Sequence, residues 1–309
     1  MSASNPQGLV HQVLLYESPQ QFLAGAEPFI RDALHRGEPI LAVTTRSNSS
    51  LLRHNLGGSL DGVEFVDQAT WFDTPGRALA ACHRYLRDRI ANHERVRLIG
   101  EPIWAGRDAL ETTEWKRFET IVNVAFARLP AWLLCSYDSS ALPAELVADA
   151  RRFHPQLSGG SANANYLDPT AFSAEYDREL LPAPPAGFAA QDFDADPAPV
   201  RDFVAAEAGR CGLNGHRLDD LVLAANEVAT NAIRHGAGHG EVRMWSDGPW
   251  LLCEVNDPGE ADDGLLGCLP PDADAENGHG LWIARQLCDL LQIRTRQPGT
   301  TVRMYMRVG

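Results

Sequence analysis

The sequence predicts an α/β chain of two domains. A mostly parallel, doubly wound sheet is expected over residues 1–173, a linker over 174–196, and a smaller domain of helices packed on a sheet over 197–309. Three observations predict this. Short apolar runs alternate with amphipathic stretches between residues 12 and 157, the pattern of repeated βα units whose strands are covered on both faces. Pro, Ala and Asp then concentrate in ELLPAPPAGFAAQDFDADPAPV, a composition suited to an interdomain connection. Beyond it the helices stop alternating with continuous apolar strands, which indicates an antiparallel or mixed sheet.

The elements follow in order. QVLLY (12–16) reads as a strand. Residues 19–36 read as a helix, with Phe22, Leu23, Ala26, Phe29, Ile30, Ala33 and Leu34 at helical spacing and Gly37 as its stop. PILAVTT (39–45) is a buried strand, 47–55 a helix, and VEFVD (63–67) a strand. A helix over 74–92, the strand VRLIGEP (96–102), a helix over 108–128 and the strand WLLCSYD (132–138) come next, then a helix over 143–153 entered at Pro143. In the second domain helices are expected at 197–210, 217–235 and 280–291, and strands at 241–245 and 250–257 around the turn sequence SDGP. QIRTR and TTVRMYMRV flank QPG as a closing hairpin, and the acidic stretch 260–277 has no periodicity and reads as a loop.

The composition excludes several classes. Hydrophobic residues make up 44%, a globular proportion. The formal net charge is -14, which argues against nonspecific binding to nucleic acid or an anionic membrane. None of the six cysteines forms a CxxC pair, so neither a zinc site nor a disulfide framework is signalled; Cys135 and Cys253 read as small core residues of a reducing cytoplasm. MSASNPQGLVHQ has neither the basic nor the apolar region of a signal peptide, and no run approaches the roughly 20 apolar residues of a membrane span. The expected location is therefore cytoplasmic.

The chemistry concentrates in the second domain. In RLDDLVLAANEVATNAIRHG, Leu218, Leu221, Val222, Ala225, Ala229, Ala232 and Ile233 make one helical face. Glu227 and Asn231 stack one turn apart on the other side. A solvated face would explain them, but Asn is a poor interior helix residue and a carboxylate with a neutral amide makes no ion pair. The same pair suits a hard cation beside a water or hydroxyl. Next, VNDPGE ends a strand on Asp257, with Gly259 two residues on. Asp257 either caps a turn or accepts a hydrogen bond from an amino group such as that of adenine. NGHGLW then places Gly278 and Gly280, either side of His279, immediately before a helix whose free N–H groups suit a phosphate. Finally, PGTTV sets Gly299 and Thr300 in a turn.

Taken together in this order, residues 217–305 resemble the ATP-binding domain of the GHKL superfamily, the Bergerat fold, an α/β two-layer sandwich. Glu227 and Asn231 match its N box, Asp257 and Gly259 the first glycine box, Gly278 and Gly280 the second, and Gly299 with Thr300 the last. The short stretch 260–277, a lid in this reading, and LWIARQLCD behind it look most like the RsbW-type anti-sigma-factor serine kinases. The resemblance implies an ATP site completed by His279 and Leu281, in which Asn231 ligates Mg²⁺, Asp257 reads the adenine amino group and Glu227 orients or deprotonates the attacking hydroxyl. Relatives often carry Arg where this chain has His279, and a neutral imidazole stabilises phosphoryl charge less than guanidinium.

The first domain has no P-loop. Asp67, Glu101 and Asp138 fall at strand ends, Asp67 reading as a cap. Residues 10–157, with LIGEPIW, WLLCSYD and ADARRFHP, resemble the MEDS-type bacterial sensory domain. That implies a sensor related to RecA/KaiC-like ATPases but without their phosphate loop. Glu101, Trp104, Tyr137 and Asp138 are the candidates for its ligand pocket, and His154 reads as structural, at a helix end.

The function these resemblances imply is a bacterial signalling regulator. A small-molecule or protein signal would act on the first domain. The second would bind Mg·ATP and sequester a sigma factor, or phosphorylate a Ser/Thr of a STAS-type anti-sigma-factor antagonist, with homodimerisation through the ATP domain. One alternative is an ATP-gated binding module without catalysis. Another is an atypical sensor histidine kinase, although no helical segment with a phosphoacceptor histidine precedes residue 197.

Overall fold

The computed structural model describes residues 8–57, 60–176, 180–259, 265–270, 279–296 and 299–308. They form two compact units, the first of residues up to Asp73 with Ala78–Pro169, the second of Thr74–Arg77 with the residues from Thr170 on.

The first unit opens with β1 (Val10–Tyr16) and α1 (Pro19–Arg36). Ser18 caps α1 by accepting from the Gln21 amide, Pro19 starts it, and Gly37 ends it at φ 67°, a left-handed conformation that glycine adopts without strain. β2 (Ile40–Thr44), α2 (Arg46–Leu56), β3 (Val63–Asp67) and the single turn α3 (Gln68–Trp71) follow. Then come α4 (Pro75–Ile90), β4 (Val96–Gly100), α5 (Ala109–Ala125), β5 (Ala131–Asp138), α6 (Ala144–Phe153) and the short β6 (Gln156–Leu157). The six strands pair in the order β3-β2-β4-β5-β1-β6, parallel at every junction. Every residue of β2 and β4 is buried, as strands covered on both faces require. Asp67 caps α3 through the Ala69 amide.

The second unit contains α7 (Pro169–Tyr176), β7 (Ala189–Phe193), α8 (Ala198–Arg210), α9 (Gly215–His235), β8 (Gly240–Asp247), β9 (Trp250–Asp257), α10 (Gly280–Leu287), β10 (Leu290–Arg296) and β11 (Gly299–Arg307). Its sheet, ordered β10-β11-β9-β8-β7, is antiparallel throughout. α9 lies centrally, packed against α8, α10 and β9. Its buried residues Leu221, Ala224, Ala225, Val228, Ala229 and Ala232 join Cys253, Val255, Met304 and Met306 of the sheet in one core. This is a two-layer sandwich.

Two expectations are corrected here. The stretch read as a linker over 174–196 contains β7, which pairs with β8 and buries Phe193 in the core. The helix expected over 280–291 ends at Leu287, and Leu290 and Leu291 belong to β10. The cause is Asp289. Its carboxylate is held by Arg217 at 2.6 and 3.1 Å and by the Arg307 amide at 2.7 Å, while its own amide donates to Tyr305. Those bonds fix the chain in the sheet before another helical turn forms.

Candidate functional site

In the second unit, the end of β9, the C-terminal half of α9, the start of α10 and the start of β11 surround a cavity of about 220 Å³. Asn231, Asp257, Gly259, Leu281 and Thr300 line it together, with apolar walls from Val228, Leu266 and Val302. A broader, more open depression of about 830 Å³ runs along the β7–β8 edge and shares Asp257 and Thr300 with it, but lacks the α9 and α10 residues.

Asp257 sits where β9 leaves the sheet. Its Oδ1 accepts the Gly259 amide at 2.8 Å, and partial burial pushes its carboxyl above the ordinary value. Thr300, paired with Asp257 across the β9–β11 ladder, donates its hydroxyl to the Gly259 carbonyl at 2.9 Å. Two glycines are dictated by space. A Cβ on Gly259 would stand 2.5 Å from the Gly236 Cα and 2.6 Å from Asp257 Oδ1. One on Gly236 would stand 2.2 Å from the same oxygen. Gly236 and its neighbour His235, which also lines the cavity, are contributions that motif spacing missed. The only signal for them was the helix stop at Gly236.

Glu227 and Asn231 are half-buried, not solvated. They face the first residue of α10. A Cβ on Gly280 would lie 2.8 Å from Glu227 Oε2 and 3.2 Å from Asn231 Nδ2. Glycine here lets the N-terminus of α10 approach both side chains. Among the described residues neither side chain makes a hydrogen bond, so both polar groups are available to a ligand or an ion. The buried stripe of α9 also turns further toward α10 than periodicity indicated. Ala224 and Val228 are fully enclosed, whereas Leu218, Val222 and Ile233 are only partly buried. His279 precedes α10 in helical conformation and makes no side-chain cap bond. Gly278 and most of the stretch 260–277 lie outside the described residues.

The four candidates in the first unit do not share one pocket. The β1–β5 register places Tyr16 beside Asp138 and Leu15 beside Tyr137, so Asp138 and Tyr137 point to opposite faces of the sheet. Glu101 lies on the Tyr16 side. It accepts the Tyr16 hydroxyl at 2.6 Å, the Thr45 amide at 2.9 Å and the Asn48 amide at 2.9 Å, a buried and well-satisfied network. Asp138 accepts from the Ser140 amide and hydroxyl, which makes it a turn former. Trp104 and Tyr137 lie together on the other side, ring centroids 6.0 Å apart, with the indole N–H and the phenol buried and unpartnered among the described residues.

Comparison with known families agrees with this division. Residues 10–155 match the family described as MEDS, the methanogen/methylotroph, DcmR sensory domain. Residues 193–306 match the histidine kinase-like ATPase domain. The chain is thus similar to a MEDS domain over its first part and to a histidine kinase-like ATPase domain over its second, each match covering less than half of it. The ATPase family's match begins at Phe193, inside β7. Among solved structures, the RsbU and RsbW domains of Rv1364c from Mycobacterium tuberculosis align over 38% of this chain and 32% of that one, with 21% identity and a TM-score of 0.30. The aligned region thus spans about a third of that protein's length. No curated protein matches. No helix among the described residues is long and apolar enough to cross a membrane, and all six cysteines are free.

Proposed function

We propose that the ATPase domain binds Mg·ATP and that this MEDS–ATPase chain is a cytoplasmic bacterial signalling regulator of the RsbW kind. It would hold a sigma factor or phosphorylate a Ser/Thr of a STAS-type antagonist under control of its sensory domain. The observation that carries this reading is the convergence of Asn231, Asp257, Gly259, Leu281 and Thr300 on one cavity, with Gly280 opening space beside Glu227. At about 220 Å³ the cavity is smaller than pockets for whole ligands, roughly 300–1,000 Å³, so it suits the base end of a nucleotide. Asp257 accepts the adenine amino hydrogen, and Leu281, Val302 and Val228 enclose the ring. The triphosphate extends toward His279 and the free N–H groups of α10.

Asn231 supplies the side-chain oxygen for Mg²⁺, and its amide, unengaged beside a glycine that leaves room, fits that task. When bound, Mg²⁺ neutralises charge on the phosphate oxygens. Glu227 orients the partner's hydroxyl. As that oxygen bonds to the γ-phosphorus, the bond from phosphorus to the ADP oxygen breaks and the hydroxyl proton passes to the Glu227 carboxylate.

His279 favours a second reading, an ATP-gated binding module that transfers nothing, because a neutral imidazole is a weak partner for phosphoryl charge. One experiment separates the two. Radiolabelled γ-phosphate from ATP is followed into a STAS-type antagonist with wild type and with Glu227→Ala. Transfer by wild type that falls at least about 100-fold in the variant, with ATP affinity kept, supports the kinase. Partner binding that follows ATP without label supports the module, and transfer retained by Glu227→Ala removes Glu227 from the mechanism.

A further inference from the structure

The first unit encloses a second polar centre, unrelated to the nucleotide cavity. His11 of β1, Glu119 of α5, Cys135 of β5 and His154 at the end of α6 offer one ligand atom each, all within 4.8 Å of one another and all buried. Sheet register explains half of this. His11 pairs with Leu133, so Cys135, two residues on, points to the same face as His11. α5 and α6 pack against each other and bring Glu119 and His154 over that face.

The protonation pattern is dictated from outside the cluster. His11 Nδ1 meets Asn123 Oδ1 at 3.0 Å, and Asn123 is turned that way because its Nδ2 donates to the Phe153 carbonyl at 2.8 Å. His154 Nδ1 meets the Ala150 carbonyl at 2.6 Å, an acceptor only. Both rings therefore carry their proton on Nδ1 and direct an Nε2 lone pair inward. His11 Nε2 is 3.2 Å from Cys135 Sγ and 4.0 Å from Glu119 Oε2, and His154 Nε2 is 3.6 Å from the same oxygen. Neither oxygen of Glu119 nor the His154 Nε2 has a hydrogen-bond partner among the described residues. Two ring nitrogens, a thiol and a carboxyl group thus face one point.

A cation held at that point would satisfy the Glu119 oxygens and the His154 Nε2, which have no hydrogen-bond partner among the described residues. We infer that His11, Glu119, Cys135 and His154 form a buried binding site for a divalent metal ion of the zinc class. Imidazole, thiolate and carboxylate are zinc's ligands, and four of them make a closed tetrahedral site. Both histidines already show the outer arrangement of metal-bound rings, the remote N–H given to a carbonyl oxygen. Ligand atoms of a tetrahedral zinc site lie roughly 3.3–3.8 Å apart, so the observed spread closes with side-chain shifts of about an ångström. The Tyr137 ring, 5.8 Å from His154 and stacked on Trp104, packs against the centre and links it to the unpartnered aromatic pair of the sensory unit.

The test uses the full chain, unfolded and refolded with zinc or cobalt(II), because the buried site takes its metal during folding. The expected result is about one metal per chain by elemental analysis. Cobalt should give visible absorption of tetrahedral intensity and a near-ultraviolet thiolate charge-transfer band. Cys135→Ser should abolish that band and His154→Gln should lower affinity by more than the roughly tenfold lost with an outer partner of a metal site. Cys211→Ser, an exposed cysteine, should change neither. A folded wild type that takes up neither metal overturns the inference, as does a charge-transfer band indifferent to Cys135→Ser. Should the variants not fold, X-ray absorption at the zinc edge of the wild type decides. One sulfur with nitrogen and oxygen neighbours supports the site, and an oxygen-only shell overturns it.

Discussion

Adding one methyl group at Gly259 tests the cavity most sharply. A Cβ there would meet the Gly236 Cα at 2.5 Å, the Gly236 carbonyl carbon at 2.9 Å and Asp257 Oδ1 at 2.6 Å. Two of those atoms belong to backbone that ends α9, so rotating a side chain cannot relieve the clash. The loop must open by roughly half to one ångström, and overpacking of this kind costs about 1–3 kcal/mol. The shift also strains the 2.8 Å bond from the Gly259 amide to Asp257 and moves the carboxylate that would read adenine. Losing a well-placed hydrogen bond in a semi-enclosed site costs about 1–3 kcal/mol, which is about 5- to 150-fold in affinity. Gly259→Ala should therefore lower the urea midpoint and weaken Mg·ATP binding, measured by calorimetric titration of the full chain. Gly209→Ala is the control. Its Cβ would meet nothing within 4 Å, and Gly209 lies in α8, so stability should rise by about 0.5 kcal/mol with ATP affinity unchanged. A Gly259→Ala chain with wild-type midpoint and wild-type ATP affinity would refute the close packing of Gly259, Gly236 and Asp257 as the basis of the site.

Two further outcomes follow from charged groups in the same domain. Burial raises the Asp257 carboxyl, and only the ionised form accepts an adenine amino hydrogen, so ATP affinity should decline on acidification while ordinary carboxylates are still charged; Asp257→Asn should flatten that part of the pH profile. For stability the sign is the reverse. A raised folded-state value means the native chain binds this proton more readily than the unfolded chain, so this group's contribution improves as pH falls through the folded value. Arg303 and Glu254 form a buried ion pair, with Arg303 Nε at 2.7 Å from the carboxylate and both side chains under 5% exposed. Arg303→Met leaves the buried carboxylate to Arg243 at 3.6 Å and the Asn256 amide at 2.9 Å and should cost about 1–3 kcal/mol by chemical denaturation, whereas Arg303→Met with Glu254→Met should recover part of it. Equal losses in the single and double variants would contradict that account.

Strongly periodic elements were legible. Residues 19–36, VEFVD and WLLCEVND have the observed bounds because a cap, a left-handed glycine or a turn residue punctuates each one. β7 was not legible, because AAQDF has low strand propensity and lies at a sheet edge, where Phe193 alone is buried. The end of α10 was ambiguous for another reason. QLCDLLQI is a short apolar run that suits helix and strand alike, and the deciding contacts of Asp289 come from Arg217 and Arg307, far along the chain. In the cavity of the second unit the boxes carry their own spacing, so Asn231, Asp257 and Thr300 were named from sequence, while Gly236 waits on a contact with Asp257 that no local pattern encodes.

The two centres differ in legibility because they differ in how they are assembled. The cavity of the second unit is made at element ends, with glycines and polar residues that local rules disfavour and that therefore stand out in the sequence. The His11 centre is made in mid-strand and mid-helix positions, where each residue alone passes as core. Cys135 sits in an apolar run, Glu119 on an ordinary helix, and His154 at a helix end. Spacing between residues 11, 119, 135 and 154 carries no short motif, because parallel pairing of β1 with β5 joins segments more than a hundred residues apart. What identifies this centre is three-dimensional: two rings whose Nδ1 atoms are engaged outside direct their Nε2 atoms toward a buried thiol and carboxyl group. A core free to be apolar has no reason to retain that arrangement, since replacing such groups by hydrocarbon of similar volume is often stabilising. The cluster is therefore better explained by the ion it can hold than by the packing it provides.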